Sequence, residues 1–395
     1  MTNAPPMEPK PLRSGPIEGG PRDRFLDRFW RWRDRMLADP RMQTWAVRLP
    51  FLRPIANRRA RELFDLCIGF VHTQVVTACI ELKVLDHLAD GAKSASEIAA
   101  LTGLEQDPAE RLLAAAAAIH LVVRQRDDRY RLGELGAAVR GAPGVIEIVR
   151  HNQVFYRDLS DPVALLKGER SETELAGYWP YAEGQTDVAG LSAEAVTPYT
   201  ALMAASQPFI ADDVLAAYDF SKHRAVLDVG GGNGTFASAV ARAHGRVRVG
   251  VFDLPSVAHT AEASFRDAGL SDMATAHGGD FHRDPLPTGY DAITLVRILL
   301  DHDDATVLKI LTAVRHALPP GGTLLIAELI SGEPGAETIT DAYFGLYLMA
   351  MGRGRPRSMP HISRLLTEAG FEPAKRVGTR RTLMTQLLKS TVANH

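Results

Sequence analysis

The sequence predicts an α/β fold, with a doubly wound parallel sheet in the C-terminal half and a smaller, mainly helical domain ahead of it. Three observations carry that prediction. Between Ala225 and Asp253 an apolar strand enters a glycine-packed turn, a helix follows, and a second apolar strand ends in an acid. Beyond Asp253 apolar strands and amphipathic helices keep alternating, the order that builds a parallel sheet with helical crossovers. Ahead of Ala225, three helical stretches lead into two short strand-like runs, the order of a winged helix.

Along the chain this reading gives an N-terminal arm over residues 1–60 and a winged-helix domain over 61–145. A helical linker over 146–215 and a sheet domain over 216–395 follow. Residues 1–20, with Pro, Gly and Ser, are expected to lack fixed structure. In RFLDRFWRWRDRML, Phe25, Leu26, Phe29, Trp30, Met36 and Leu37 recur at helical spacing with arginines between them, as in an amphipathic surface helix. Residues 71–91 read as an apolar-periodic helix through Val75, Val76, Cys79, Leu82 and Leu85. Ser94 or Ser96 can cap the next helix, and Asp107-Pro108 offers a cap and a first-position proline for the third. Gln125 to Arg129 makes the polar tip between the two short strands. Past Asp253 come a helix and a third strand ending near GGDFHRDPLP. A fourth strand runs from Tyr290 to Leu299, and a helix from Asp304 to Leu318 carries Val307, Ile310, Leu311 and Val314. A fifth strand lies in GGTLLIAELI, and two short antiparallel strands in AKRVGTRRTLMTQLLKS.

Composition fits a soluble enzyme. The formal net charge is −2 and 46% of residues are hydrophobic, so the chain can bury two or three cores and has no overall acidic or basic bias. Cys67 and Cys79, twelve apart in apolar helical-looking sequence, read as core thiols in a reducing cytoplasm rather than as a disulfide framework. Around Leu112 to Val122 the apolar run is short and broken by His120, so no membrane-spanning segment is expected, and no signal peptide is visible. No metal is expected.

The glycine turn is where a ligand belongs. Gly230, Gly231, Gly232 and Gly234 let the backbone take positive φ and approach a bound molecule, and the helix opening near Thr235 presents free N–H groups. Asp253, at the tip of the second strand, is placed to grip a ribose diol. A dinucleotide fingerprint fits poorly, because Thr235 stands where a small residue is needed. An acid four positions ahead of Gly232, namely Asp228, with G-x-G-x-G as the core instead resembles motif I of S-adenosylmethionine-dependent methyltransferases. Asp280 and Phe281, near the end of the third strand, suit the amino group and ring face of an adenine.

The upstream domain raises the question of DNA binding. A helix that reads DNA carries basic and amide side chains, whereas the third helix here offers Arg111 and then Leu112, Leu113 and five alanines. Such a helix is built to pack against protein. No nucleic-acid partner is expected, and a regulator remains only as the alternative of another class.

Quoted together, ACIELKVLDHLADG, SASEIAALTGL, RYRLGELG, VLDVGGGNG, FDLPSV, GDF, LPPGGTLLIAE and LLTEAGFEP resemble the class I, cation-independent O-methyltransferases over about residues 61–390. The resemblance implies a Rossmann-like methyltransferase sheet, a winged-helix dimerisation domain, a homodimer and S-adenosyl-L-methionine as cofactor. It implies cofactor contacts from Asp228, Gly230, Gly232, Asp253, Leu254, Asp280, Phe281 and Arg297. The catalytic pattern departs. The family's base is a histidine before an aspartate, and here that position is Leu300, in Leu300-Asp301-His302-Asp303-Asp304. A second family carboxylate falls on Glu328, and a third falls on Pro356. Glu328, His302 and Asp301 are therefore the catalytic candidates.

The loss of the histidine bears on the substrate. A phenol is acidic enough for such a base, but an aliphatic alcohol resembles water, with a pKa of about 16. In-line methyl transfer can draw much of its rate from positioning and water exclusion. An apolar pocket is expected from Tyr343, Phe344, Tyr347, Met349 and Met351 in DAYFGLYLMAMG, with Phe155, Tyr156, Met203 and Phe209 from the preceding helices; ordinary core packing is the alternative for each. The arm adds 13 Lys and Arg against 6 Asp and Glu over residues 1–60, and holds Trp30, Trp32 and Trp45. Residues 21–50 thus suit either a peripheral membrane contact or the partner subunit. Leucine for histidine, arm and pocket together resemble the carotenoid-alcohol O-methyltransferases of purple phototrophic bacteria, which act on a tertiary hydroxyl. Bacteriochlorophyllide and small-phenol methyltransferases are the alternatives.

Overall fold

A computed structural model describes residues 21–170, 172–178, 207–281, 283–381 and 385–393. Residues 1–20, and with them that expectation, lie outside this set. Contacts divide the chain into two compact units, Met1–Val75 and Val76–His395.

In the first unit, helix α1 (Pro21–Ala38) and helix α2 (Pro40–Arg48) are separated by Asp39, whose carboxylate caps α2 by accepting from the Arg41 amide. Helix α3 (Arg53–Glu81) begins in this unit and is far longer than the stretch expected from residue 71. No proline interrupts it after Pro54, and it stops only where Lys83 turns left-handed at φ 53°. By length and composition alone it is long and apolar enough to cross a membrane, with a mean hydropathy of 1.6 over its most apolar 18 residues, which corrects the expectation that no apolar run has that length. Apolar side chains stay exposed here: Phe25, Phe29, Trp30 and Trp32 on α1, and Leu63, Phe64, Leu66 and Phe70 on α3. Cys67 is exposed as well, so only Cys79 is a core thiol.

The second unit opens with helix α4 (Val84–His87), helix α5 (Ala95–Thr102) and helix α6 (Gln106–Ala118). Strands β1 (Val122–Arg124) and β2 (Tyr130–Leu132) then pair antiparallel around the Gln125–Arg129 tip. Ser94 is the cap of α5, in a reciprocal box with Glu97. Asp107 does not cap α6, which starts earlier, at Gln106; it sits in the first turn and pairs with Arg111 at 2.7 Å. Helix α7 (Glu134–Arg140) and helix α8 (Pro143–Asp158) lead on through helix α9 (Pro162–Lys167) and helix α10 (Glu174–Tyr178), and residues 207–217 form helix α11.

The sheet has seven strands: β3 (Ala225–Val229), β4 (Arg248–Asp253), β5 (Ala274–Gly278), β6 (Ala292–Val296), β7 (Thr323–Glu328), and, at the antiparallel edge, β10 (Lys375–Val377) and β11 (Gln386–Thr391). Their order is β10-β11-β7-β6-β3-β4-β5. The outward steps from β3 to both sides make it doubly wound, and the strands beside the central crevice are buried along their whole length, as in a sheet covered by helices on both faces. Helix α12 (Thr235–Ala243), helix α13 (Pro255–Asp267) and helix α14 (Asp304–Ala317) are the crossovers. Each buried Leu or Ile of this core, such as Leu227, Ile293 and Leu324, contributes about 1.5–3 kcal/mol. Two short strands, β8 (Ile330–Ser331) and β9 (Arg357–Ser358), pair in parallel next to the sheet. Between them the chain makes a π-helical turn, Thr338–Tyr343, and helix α15 (Phe344–Ala350); helix α16 (Met359–Glu368) follows.

Candidate functional site

In a sheet of this kind ligands bind at the carboxyl ends of the strands where the winding changes direction. That crevice lies between β3 and β6. At the end of β3, Gly230, Gly232 and Gly234 have φ of 71°, 58° and 78°. A Cβ on Gly230 would be strained by that φ and would also push aside the tip of the Ile298 side chain, 2.4 Å away. Gly234 immediately precedes α12, whose first N–H groups have no partner within the helix and point back toward the turn; the Thr235 amide donates to Asn233 Oδ1 at 3.3 Å.

Two acids shape this turn. Asp228 is buried, and its carboxyl accepts from the Thr294 hydroxyl at 2.6 Å; burial pushes its pKa up to about 7. Asp253 is partly exposed and accepts from the amides of Gly232 and Leu254, each at 2.8 Å. It therefore fixes the glycine turn while keeping lone pairs for a ligand diol. Desolvation raises its pKa, and the two amides oppose that rise. Backbone freedom, helix N–H groups and a half-open carboxylate form a cradle that fits a nucleoside cofactor. Just past β5, Asp280 lies 3.7 Å from Arg283, and the Phe281 ring meets His302 edge-on at 5.6 Å. A separate cleft of about 790 Å³ runs between this loop and α14 and includes Phe281, but not the crevice residues.

The opposite wall is the loop that carries Leu300. Arg297, just beyond β6, holds φ at 58°, a conformation costing about 1–2 kcal/mol. Residues Leu299–Asp301 then form one 3₁₀ turn. Glu328, buried at the end of β7, accepts from the Leu299 amide at 2.7 Å and the Leu300 amide at 3.4 Å through Oε1. Its Oε2 has no hydrogen-bond partner among the described residues. Desolvation and the neighbouring Asp301 push the Glu328 pKa up to about 8, against the pull of those amides and of Arg297. Asp301 is itself raised to about 7 by desolvation, with Arg297 and Arg353 opposing. A carboxyl in this state at neutral pH is in good part protonated.

From the other side Arg357, buried between β9 and the loop, donates to the carbonyls of Leu299 and His302, each at 2.6 Å, and to Asp304 Oδ1 at 2.8 Å. Its importance has no local sign in the sequence, since its partners lie on a distant loop. Asp301 does not cap α14; Asp303 does, accepting from the Thr306 amide at 2.7 Å.

Leu300 is buried in a continuous apolar cluster with Phe155, Leu329, Tyr347, Leu348 and Met351, against which Tyr343 and Phe344 pack. Tyr156 follows Phe155 on α8 and is partly buried, but it is not part of this cluster. Five of the expected pocket residues thus meet directly around Leu300. Met203 lies outside the described residues. Phe209 and Met349 do not join: both are exposed, and Phe209 is covered by the Arg381 guanidinium at 5.4 Å. Sequence reasoning missed His151, which is buried in α8 with Nε2 2.7 Å from the Tyr347 hydroxyl. The available signal was its position four residues before Phe155, on the same helix face.

Comparison with known proteins agrees with this geometry. Residues 156–372 match the O-methyltransferase domain family, and residues 64–139 match the O-methyltransferase dimerisation domain. The chain is 45% identical over 344 residues to demethylspheroidene O-methyltransferase of Cereibacter sphaeroides, covering 86% of this chain and 89% of that protein. It is 39% identical over 392 residues to the enzyme of the same name from Rhodobacter capsulatus, covering 98% and 94%. Among solved structures it resembles a mitomycin 7-O-methyltransferase, with a TM-score of 0.71, 25% identity and coverage of 86% of this chain and 100% of that one. Human N-acetylserotonin methyltransferase in complex with its cofactor shares the fold, at a TM-score of 0.71 and 24% identity, with coverage of 85% and 98%.

The raised carboxyl pKa values make a stability prediction. Because the folded state holds protons on Glu328 that the unfolded chain releases near its ordinary value, stability falls as pH rises from about 4 to about 8, and changes no further above that window. Glu328→Gln keeps an acceptor for the Leu299 amide and has nothing to ionise. Urea unfolding at pH 5, 7 and 8.5 should give a shallower decline for Glu328→Gln than for wild type; equal slopes would contradict this assignment.

Proposed function

The chain belongs to the O-methyltransferase family that joins a dimerisation domain to a methyltransferase domain, and from there we propose that its acceptor is the tertiary C-1 hydroxyl of a hydroxylated carotenoid, in spheroidene biosynthesis. The enzyme is a homodimer that uses S-adenosyl-L-methionine, which when bound supplies an electrophilic methyl group. Asp228, Gly230, Gly232, Asp253, Leu254, Asp280, Phe281 and Arg297 are the residues we assign to holding it.

One observation carries the choice of acceptor. Leu300, standing where the family's histidine stands, is closed into an apolar aromatic cluster rather than open to a proton. The remaining candidates are engaged: Glu328 holds the loop backbone, Asp301 shares its charge environment, and His302 faces Phe281. These residues support a reaction that is driven by placing an apolar alcohol and excluding water, with none of the three as sole base. Names of the two most extensive relatives cited above point the same way.

Residues 21–50 belong to the same proposal. α1 and α2 display Phe25, Trp30, Trp32 and Trp45 together with arginines, and Arg33 lies over the Trp30 ring at 4.3 Å. The family match starts at residue 64, so this arm is an addition to the shared fold. We assign it to a peripheral contact with the cytoplasmic membrane face, where a carotenoid dissolves. The exposed apolar residues of α3 from Leu63 to Phe70 we assign to the second subunit, since the dimerisation match includes Phe64, Leu66 and Phe70.

Purified protein given labelled S-adenosylmethionine and a panel of hydroxylated carotenoid, chlorophyllide and catechol should place label on the carotenoid tertiary hydroxyl. Label confined to catechol oxygen, or to chlorophyllide carbon, would replace this acceptor with one of the alternatives. Deleting residues 21–50 should lower binding to anionic vesicles and slow turnover of bilayer-delivered carotenoid, while detergent-solubilised carotenoid is spared. Unchanged vesicle binding with loss of the dimer would assign the arm to the partner subunit instead.

A further inference from the structure

A buried polar pair, His151 and Tyr347, sits at the apolar cluster around Leu300. His151 and Tyr347 are 7% and 6% exposed, with Nε2 and the phenol oxygen 2.7 Å apart. Next to them Tyr343 donates to Asn152 Oδ1 at 2.8 Å, and its ring stacks on Tyr347 at 5.8 Å and 18°. Apolar contacts among Phe155, Leu348 and Met351 already close α8 against α15. A buried imidazole costs more free energy than an apolar side chain of its size, so its presence calls for a use. Leu329 and Leu300, in the same cluster, follow the ends of β7 and β6, the ligand end of the sheet.

We propose that Tyr347, backed by His151, receives the acceptor hydroxyl and removes its proton, in the cluster where Leu300 offers no base. The proposal rests on the reading of the acceptor as an aliphatic alcohol. The hydroxyl oxygen forms its bond to the methyl carbon as the sulfur–methyl bond breaks, and that bond's electron pair stays on sulfur. The proton of the resulting protonated ether passes to the Tyr347 oxygen while the tyrosine's own proton moves to His151 Nε2. A neutral ether, a neutral thioether and an imidazolium remain, so one positive charge enters as sulfonium and one leaves on histidine.

The order of events follows from acidity. Burial pushes the His151 pKa down to about 4, far too low to deprotonate an alcohol with a pKa of about 16 beforehand. A protonated ether is a strong acid, and a neutral imidazole accepts from it readily. Discharge of the sulfonium also removes a positive charge that opposed protonation of the ring. A phenol oxygen both donates and accepts, which suits it to the middle of this relay.

Steady-state kinetics on the full-length dimer at saturating cofactor tests the pair. Tyr347→Phe keeps the ring and removes the relay oxygen; His151→Gln keeps a hydrogen-bonding side chain and cannot take the proton. Each should lower kcat about 10- to 100-fold, leave the cofactor KM unchanged, and combine without further loss, because the two act in series. A kcat within twofold of wild type in either variant, or losses that multiply, would overturn the proposal. Wild-type protein supplies an independent measurement: with S-adenosylhomocysteine bound, a long apolar tertiary alcohol should bind at least about tenfold more tightly than its deoxy counterpart, and equal binding would overturn it. If the protein methylates only phenols, the acceptor reading fails, and the variants assayed on that phenol judge the pair by the same criteria.

Discussion

Six residues, Leu299 to Asp304, form the wall of the site, and they are held from two sides by buried groups. Glu328 takes the Leu299 and Leu300 amides, and Arg357 takes the Leu299 and His302 carbonyls and the Asp304 carboxylate. Removing either partner would leave buried polar groups unmatched, each costing about 1–3 kcal/mol. The loop therefore has one shape, and that shape turns Leu300 into the apolar cluster. The left-handed Arg297 at its entry is strain that these contacts over-determine.

A fixed loop with a leucine at its tip changes what the reaction can use. A histidine with an ordinary pKa near 6.5 faces an aliphatic alcohol about nine units weaker as an acid. Prior deprotonation by such a base would leave only about one alcohol in 10⁹ ionised, so little is lost when the base is absent and a well-packed wall is gained. Positioning can supply far more than that, on the order of 7–11 kcal/mol. On this account the aromatic cluster of Phe155, Tyr343, Phe344 and Tyr347 is the catalytic asset, and the proton leaves late.

Much of this was legible in the sequence because it is local. The central strands announce themselves by runs such as Ala225–Val229 and Ala292–Val296, buried on both faces, and the glycine turn by residues that readily take its φ values. The pocket was found through aromatic residues at helical spacing around Tyr343 and Tyr347. What escaped depends on distant partners or on competition between neighbours. Arg357 is anonymous until its loop is placed beside it, and His151 until Tyr347 arrives. At α6 the chain offered a strong Asp-Pro start signal, yet the helix begins at Gln106 and Asp107 serves Arg111 instead. At α14 the sequence holds three acids within four residues, and only Asp303 has the geometry to cap the helix. Phe209 and Met349 were expected in the pocket and Cys67 in the core, yet all three are exposed, because hydrophobicity alone does not tell which face of a helix will be covered.

The central claim is that placement, rather than a base at position 300, limits this reaction. Leu300→His restores the family's base in the existing loop and can be assayed for kcat on the tertiary alcohol at saturating cofactor. The account predicts turnover equal to or below that of wild type, because an imidazole in the apolar cluster disturbs packing and cannot ionise the alcohol. A rise of about a hundredfold or more, the scale of committed general-base catalysis, would contradict it.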